Sequence, residues 1–365
     1  MKNQEQSNKI SFKGQNVFIG IDVHLKQWHV CVCSEYISKP VFTMAPDAKG
    51  LKAYLEREFP EADYYSAYES GFCGFHVHRE LEAEGIHNIV FNAADIKDSQ
   101  KERMRKSDAV DCIKICRNLQ KGELTPIYVP DEDTQAFREL LSFRSARVKS
   151  RTRVKNRIKG LLNKYGIEYP EQFSKSSSHW TKAFREWIVC VADSMMPLDT
   201  AYIMREYIEE LERLDLKIRK VNRKINEELK TKYAEMDSRL RSVPGIGRLC
   251  SALICAYICD INRFDSDDKL AGYIGLVPDV RGSGEKNAVL GITRRGNKLL
   301  RPALVECAWQ AIRKDPALAA AYSNFCKRGL KPNNAIIRIA RKMVNRIRYV
   351  MRCGNDYKLS VVKKE

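Results

Sequence analysis

The sequence predicts an α/β part followed by an all-α part, and three observations indicate this division. Over residues 16–92, short runs rich in Val and Ile alternate with helical segments, which is typical of a mixed sheet with helices on its faces. After Pro130 the chain becomes basic and helical, and residues 199–230 repeat apolar side chains at spacings of three and four. Residues 236–353 are again mostly helical, apart from a glycine-rich interruption at 272–296.

The α/β part is assembled from short elements. Residues 1–14 are polar and form an expected disordered tail without the apolar core of a signal peptide. Asp47 stands where the N-cap of a helix is expected. The candidate strands are 16–34 (two strands joined by a tight turn), 40–44, 63–69 and 87–92, and the candidate helices are 47–59, 74–85 and 107–120.

Charge and composition narrow the function classes. The 365 residues carry 64 Lys and Arg against 46 Asp and Glu, a formal net charge of +18, which favours a nucleic acid as partner. No run approaches about 18 uncharged apolar residues, so we expect no membrane span. The 12 cysteines show no CxxC pair and are interpreted as buried free thiols, which suits a reducing compartment and predicts a cytoplasmic protein.

Two long helices are expected in the middle of the chain. The segment 133–164 is basic on most faces, which favours binding to a phosphate backbone or a folded RNA, although a solvated helix has the same pattern. Segment 199–230 is typical of a coiled-coil or helical-hairpin arm that could join two copies, with a core helix as the alternative. The candidate contacts on the basic helix are Arg144, Arg147, Arg151 and Lys155.

Four carboxylates stand out by position. Asp22 interrupts an apolar strand, where an acid is costly unless it is paired or holds a ligand. Glu69 ends another strand, and Asp108 and Asp111 lie three residues apart, on one helix face. Such acids can converge at one sheet edge and hold Mg²⁺ or Mn²⁺, which prefer oxygen ligands. Two such ions can stabilise both oxygens of a phosphodiester displacement, although each acid alone is more often structural.

The C-terminal part contains two further patterns. VPGIG lies between helical stretches, so Gly245 and Gly247 could let backbone N–H groups approach a phosphate, or simply form a packing corner. Ser283 lies between two glycines, where its hydroxyl could attack a phosphodiester with cations stabilising the developing charge, although a flexible turn has the same pattern. The candidate cations are Arg281, Lys286, Arg294 and Arg295.

Together these motifs resemble the DEDD transposases of the insertion-sequence one-ten family, which are related to the Piv invertases. The resemblance covers about residues 16–350. Its N-terminal half carries GIDVH, YES and KSDAVD, and its C-terminal half carries VPGIG, LAGYIGLVP, GSG and ITRRGNKLLR.

The resemblance implies a fold, a reaction and partners. It implies an RNase-H-like, RuvC-like mixed sheet, then a helical arm, then a mainly helical transposase domain with a helix-hairpin-helix. Asp22, Glu69, Asp108 and Asp111 match the metal ligands, and Ser283 matches a serine that becomes covalently joined to DNA. It further implies double-stranded DNA as substrate, a structured noncoding guide RNA, and a homo-oligomer, dimer or tetramer, in which the metal site and the serine meet. The implied divisions of the chain are 1–14, 15–130, 131–235 and 236–355.

Three functions remain open at this point. The first is a transposase that uses both the metal and the serine. The second is a metal-only RuvC-like nuclease or junction resolvase, in which Ser283 shapes a loop. The third is a nucleic-acid-binding protein without catalysis, which the presence of all four acids disfavours.

Overall fold

The computed structural model describes residues 11–96, 108–283 and 286–359, and at residues 95, 280–283 and 286–290 it describes the backbone alone. Contacts divide the chain into one compact unit that ends at Val129 and a second that begins at Pro130. Within the described ranges, no helix is both long and apolar enough to cross a membrane.

The first unit is a five-stranded mixed sheet with helices on both faces. The strand order is β3-β2-β1-β4-β5; β1 is antiparallel to β2 and parallel to β4, and β4 is parallel to β5. The strands are β1 (Asn16–Val23), β2 (Trp28–Cys33), β3 (Phe42–Met44), β4 (Asp63–Glu69) and β5 (His87–Phe91), and the helices are α1 (Ala48–Glu58), α2 (His76–Ala83) and α3 (Asp108–Gln120). The predicted cap is confirmed, because Asp47 accepts a hydrogen bond from the Lys49 N–H at 3.0 Å.

Strand alternation assigns each side chain to one face of this sheet. On β1, the buried Val17, Ile19 and Ile21 pack with α1 and α2. The other face is covered by α3, where Cys112 and Cys116 pack against Cys31 and Cys33 of β2. Asp22, His29 of β2 and Glu69 of β4 fall on this second face, because each is an even number of residues from a neighbour that α3 covers.

The second unit begins with a helical hairpin. Helix α4 (Glu132–Lys164), α5 (Lys182–Met195) and α6 (Leu198–Lys232) share one apolar core, in which Val154 and Ile158 pack with Ile208, Leu211 and Leu214. The apolar stripe of α6 is therefore covered from within the chain. The role of this segment as an arm that joins two copies stays a prediction.

The rest of the second unit is mainly helical and, in the described residues, carries one two-stranded ribbon. Its helices are α7 (Ala234–Ser242), α8 (Arg248–Ile258), α9 (Asp267–Ile274), α10 (Leu300–Ala311), α11 (Pro316–Lys327) and α12 (Pro332–Cys353). The strands β6 (Pro278–Ser283) and β7 (Lys286–Ile292) pair antiparallel where the sequence indicated only a glycine-rich interruption. The predicted architecture, a mixed α/β sheet domain followed by helices, is confirmed, and the ribbon is its one addition in the described residues.

Candidate active site

Two of the four predicted acids meet at the edge of the sheet, and a histidine joins them. Potential ligand atoms of Asp22, His24 and Asp108 all lie within 4.8 Å of one another. The His24 Nε2 lies 3.1 Å from Asp22 Oδ2 and 3.8 Å from Asp108 Oδ2. Asp22 is about a quarter exposed, whereas His24 and Asp108 are more open to solvent. The three side chains are therefore accessible to a large ligand without rearrangement of the core.

The close approach of α3 to β1 brings the two acids together. At Gly20, two residues before Asp22, a β-carbon would lie 2.1 Å from the Cys112 carbonyl oxygen and 2.5 Å from the Cys116 nitrogen. Only glycine leaves room for the helix backbone at this distance. Asp108 is the first residue of α3, where the helix dipole stabilises a carboxylate. The helix thus presents Asp108 at the end of β1.

A second histidine supports Asp108 from β2. The Cα atoms of Asp22 and His29 are direct partners in the antiparallel ladder. The His29 Nε2 lies 3.4 Å from Asp108 Oδ2, and its Nδ1 lies 3.3 Å from the Thr43 hydroxyl. Sequence reasoning missed both histidines. Counting across the predicted β1–β2 turn places His29 opposite Asp22, so the strand register was the available signal.

Glu69 and Asp111 lie near this group but outside it. The β1–β4 ladder pairs Ile21 with Tyr68, so the next residues along these parallel strands, Asp22 and Glu69, end side by side. Asp111 lies one turn beyond Asp108 on α3. Among the described residues, the group with ligand atoms within 4.8 Å of one another contains neither of them.

Ser283 is the last residue of β6, at the tip of the ribbon. Its Cα pairs with that of Lys286, and Gly284 lies outside the described residues. For Arg281, Ser283 and Lys286 the structure describes the backbone only. Arg294 and Arg295 follow β7 and are exposed. Ser283 is therefore located in a β-hairpin. From the sequence, the glycine-rich segment predicted only a flexible turn at this position.

The base of this ribbon is held by an arginine that sequence reasoning did not single out. Arg301 of α10 donates to the carbonyl oxygens of Thr293, Gly275 (3.2 Å) and Arg295 (3.4 Å). The backbone there is close-packed, because a β-carbon on Gly296 would lie 2.5 Å from the Gly275 α-carbon. The loop that carries Arg294 and Arg295 is thus fixed to the helical core.

Both halves of the chain match models of one transposase family. A DEDD transposase model of the IS110 type matches residues 19–167, which include Asp22, Glu69, Asp108 and Asp111. A model described as "Transposase IS116/IS110/IS902 family" matches residues 237–323, which include Ser283. The chain belongs to the IS110 family of transposases. It is therefore a DNA transposase of an insertion sequence.

Individual transposases agree with this assignment. The chain is 28% identical over 298 residues to the transposase for insertion sequence element IS1111A of Coxiella burnetii, covering 76% of each chain. It is 28% identical over 210 residues to the transposase for insertion sequence element IS1328 of Yersinia enterocolitica, covering 56% of this chain and 59% of that one. A Streptomyces coelicolor protein of insertion element IS110 is 30% identical over 118 residues, 32% of this chain and 29% of that one.

A DEDD transposase implies a divalent metal site, and the acids of this transposase fit one. Asp22 and Asp108 supply carboxylate oxygens within reach of a common ion. His24 can either add a nitrogen ligand or hydrogen-bond to Asp22 and orient it.

On one side of α4, three of the predicted nucleic-acid contacts of this transposase pack against other parts of the second unit. Arg144 Nε donates to Asn222 Oδ1 of α6 at 2.6 Å, and Arg151 forms a 3.1 Å ion pair with Asp215 of α6. Lys155 lies 4.8 Å from the Trp180 ring centre, and burial lowers its pKa. These cations, predicted to bind nucleic acid, are engaged with the protein.

The solvent-facing cations of α4 form a different row. Arg147 lies 5.0 Å from the Phe143 ring centre and is only half-buried. Lys149, Arg153 and Arg157 are exposed and recur every four residues, so they share one face. We call these three residues the exposed basic row. The row is open to a phosphate backbone, although Arg157 also lies 5.8 Å from the Tyr207 ring centre of α6.

The two glycines of VPGIG have different surroundings. Gly245 has φ +89°, and a β-carbon there would lie 2.3 Å from the Cys307 carbonyl oxygen of α10. Gly247 is the N-cap of α8, and nothing lies within 4 Å of the position of its missing β-carbon. Gly245 is thus required by packing, whereas Gly247 leaves open space at a helix N-terminus, where a phosphate could approach.

Proposed function

We propose that this transposase cleaves and rejoins DNA strands with the acidic site of its first unit and with Ser283 as nucleophile. The observation that carries the proposal is the convergence of Asp22 and Asp108 at the end of β1. The match of the second half to the same family supports the participation of Ser283.

The acidic site holds the metal in this proposal. Asp22 and Asp108 bind it, Glu69 and Asp111 complete the ligand set from the same sheet face and helix, and His29 orients Asp108. A bound Mg²⁺ or Mn²⁺ supplies a Lewis acid that stabilises charge on phosphodiester oxygens.

Ser283 forms the covalent intermediate in this proposal. Its Oγ forms a bond to phosphorus, and the bond from phosphorus to one sugar oxygen breaks. The serine proton passes to solvent, and the departing sugar oxygen takes up a proton. Lys286, whose Cα pairs with that of Ser283, stabilises the charge that develops on the phosphoryl oxygens, whereas Arg294 and Arg295 follow the far end of β7 and bind the nucleic acid away from the serine.

Nucleic acids bind through the basic surface. Donor and target DNA are double-stranded, and an element-encoded noncoding RNA selects them. The exposed basic row and the net charge of +18 favour the binding of a polyanion that is larger than a single duplex site. The active form is a homo-oligomer, a dimer or a tetramer. It acts in the cytoplasm, where the 12 free thiols stay reduced.

A test in cells separates the serine transposase from a metal-only nuclease. The chain is expressed with the noncoding DNA that flanks its gene, as wild type, Ser283→Ala and Asp22→Ala. The junction of the excised circle is then amplified. A junction with wild type and with neither variant, at equal protein levels, supports the proposal. A junction that persists in Ser283→Ala makes the acidic site sufficient and supports a RuvC-like nuclease.

A second readout excludes a merely structural role for Ser283. DNA binding of Ser283→Ala should stay within about threefold of wild type, because one hydroxyl contributes little to a contact dominated by phosphates. Loss of binding in this variant would assign Ser283 to the structure of the ribbon.

A further inference from the structure

We propose that Leu25 and Phe72 hold an unstacked DNA base beside the acidic site. The inference rests on the proposed function, because it assumes that the phosphodiester binds at Asp22 and Asp108. The two side chains are 79% and 66% exposed, although both are large and apolar. Together with His24 and Asp108 they line one open pocket of about 490 Å³.

The first side chain sits on a closed turn. Leu25 and Lys26 are the two central residues of the β1–β2 turn, which the His24 N–H closes by donating to the Gln27 carbonyl at 3.2 Å. His24, which begins this turn, also donates to Asp22 at 3.1 Å. The position of Leu25 is therefore tied to the position of the acid.

The second side chain sits on a turn that the core holds from below. Gly74 N–H donates to the Gly71 carbonyl at 3.3 Å, so Phe72 occupies the second position of this turn. The hydroxyl of the fully buried Tyr68 donates to the Gly74 carbonyl at 3.0 Å and accepts from the His78 N–H at 3.2 Å. The exposed ring of Phe72 is thus presented by an anchored backbone, three residues after Glu69.

A nucleobase fits this surface better than a protein partner does. An exposed phenyl ring stacks on any base, and apolar wedges such as Phe and Leu separate stacked base steps. Lys26, between Leu25 and Gln27 in the same pocket, supplies a cation for the strand that carries the base. When a base leaves its stack, its phosphate moves out of the duplex with it. A base held by Leu25 and Phe72 therefore brings its phosphate towards the carboxylates of Asp22 and Asp108.

The probe for this inference is a single-stranded oligonucleotide of mixed sequence that contains 2-aminopurine. It is bound to the full-length chain in Ca²⁺, an oxygen-seeking ion chosen to limit cleavage. Its affinity is measured by fluorescence anisotropy, and base stacking by quenching of 2-aminopurine. Phe72→Ala and Leu25→Ala should each weaken binding about tenfold, equivalent to about 1.4 kcal/mol, and Phe72→Ala should abolish the quenching. Phe72→Trp should restore both signals, because an indole ring also stacks.

The matched control is Tyr36→Ala, which removes another large exposed side chain from a turn of the same unit. It should leave affinity and quenching at the wild-type level. Equal effects of Phe72→Ala and Tyr36→Ala would overturn the inference. A second result would also overturn it. If the wild type self-associates, and if Leu25→Ala and Phe72→Ala abolish this association but leave the quenching unchanged, the two side chains bind a second copy of the chain rather than a base.

Metal titration separates failure of this inference from failure of the proposed function. Phe72→Ala should bind Mn²⁺ as the wild type does, since its side chain supplies no ligand. If Phe72→Ala binds Mn²⁺ normally and also shows wild-type affinity and quenching, the role of Leu25 and Phe72 is overturned. The proposed metal-dependent function is not affected by that result. A wild type that quenches 2-aminopurine but binds no Mn²⁺ supports the base contact and contradicts the metal-dependent function.

Discussion

A β-carbon on Gly20 would lie 2.1 Å from the carbonyl oxygen of Cys112, so β1 and α3 are in backbone contact at this point. Asp22 lies two residues after Gly20 on β1, and Asp108 lies one helical turn before Cys112 on α3. The distance between the two acids therefore depends on a residue that has no side chain.

The first prediction concerns this contact. Gly20→Ala should move α3 away from β1, because the atoms it meets belong to the helix backbone. We expect the free energy of unfolding to fall by about 1–3 kcal/mol, as for overpacked cores, and Mn²⁺ affinity to fall with it. Urea unfolding and calorimetric titration measure the two effects. Gly160→Ala is the control, since nothing lies within 4 Å of its β-carbon position and alanine favours a helix. Wild-type Mn²⁺ binding in Gly20→Ala would contradict the prediction.

A second prediction concerns His29. Its imidazole lies 3.4 Å from Asp108 and 3.3 Å from Thr43, which is the arrangement of a residue that orients a ligand. His29→Ala should lower Mn²⁺ affinity about 10- to 100-fold, whereas Asp22→Ala should abolish binding and leave the melting temperature near wild type. His87→Ala removes an exposed histidine from β5 and serves as control. Equal titrations of His29→Ala and His87→Ala would remove His29 from the site.

The glycines of VPGIG allow a third prediction. Gly245→Ala should cost about 1–3 kcal/mol from backbone strain at φ +89°, and more from the contact with Cys307. Gly247→Ala should cost less, about 1 kcal/mol or below, because its surroundings are open and only the N-cap preference for glycine over alanine is lost. If the N-terminus of α8 binds a phosphate, Gly247→Ala should weaken DNA binding under conditions in which the variant is fully folded. DNA affinity equal to wild type in Gly247→Ala would make the turn a packing corner only.

The fourth prediction compares the two sides of α4. Arg153→Ala and Arg157→Ala should weaken nucleic-acid binding and each reduce the slope of log K against log salt by about 1. Arg151→Ala should chiefly lower stability, because it leaves Asp215 with one cation fewer. Anisotropy titrations at several salt concentrations, read beside melting curves, separate the effects. An unchanged salt slope in Arg153→Ala, with a reduced slope in Arg151→Ala, would reverse this assignment.

A fifth prediction concerns alkaline pH. Burial raises the pKa of Cys112 to about 12 from an ordinary value of 9.0, so the folded state holds this proton where the unfolded state releases it. The resulting stability is fully present below pH 9 and is lost as the pH rises towards 12, at up to about 1.4 kcal/mol per pH unit. Urea unfolding between pH 8 and 11 measures the slope, and Cys112→Ala should reduce it. An identical slope in that variant would show that Cys112 does not contribute.

The same burial predicts slow chemical modification. Iodoacetamide at pH 8 should label the exposed Cys190 and Cys353 first and leave Cys112 unlabelled until the chain unfolds. Peptide mass spectrometry reads this order directly.

Much of the fold was predictable because it depends on local pattern. The capping side chain of Asp47 starts α1, and the helical pattern predicted over residues 236–353 appears as α7 to α12, with the apolar face of α12 buried. The ribbon β6–β7 was not predictable in this way, because glycines at 282 and 284 interrupt the alternation that indicates a strand.

The sequence by itself determined the periodicities, the charge and the family motifs, because each depends on residues close together in the chain. Only the tertiary structure decided which groups meet. The strand register placed His29 beside Asp108, and the pairing of α4 with α6 turned Arg144 and Arg151 inwards. A periodic pattern defines a face of a helix or strand, but the partner that covers that face comes from segments distant in the sequence.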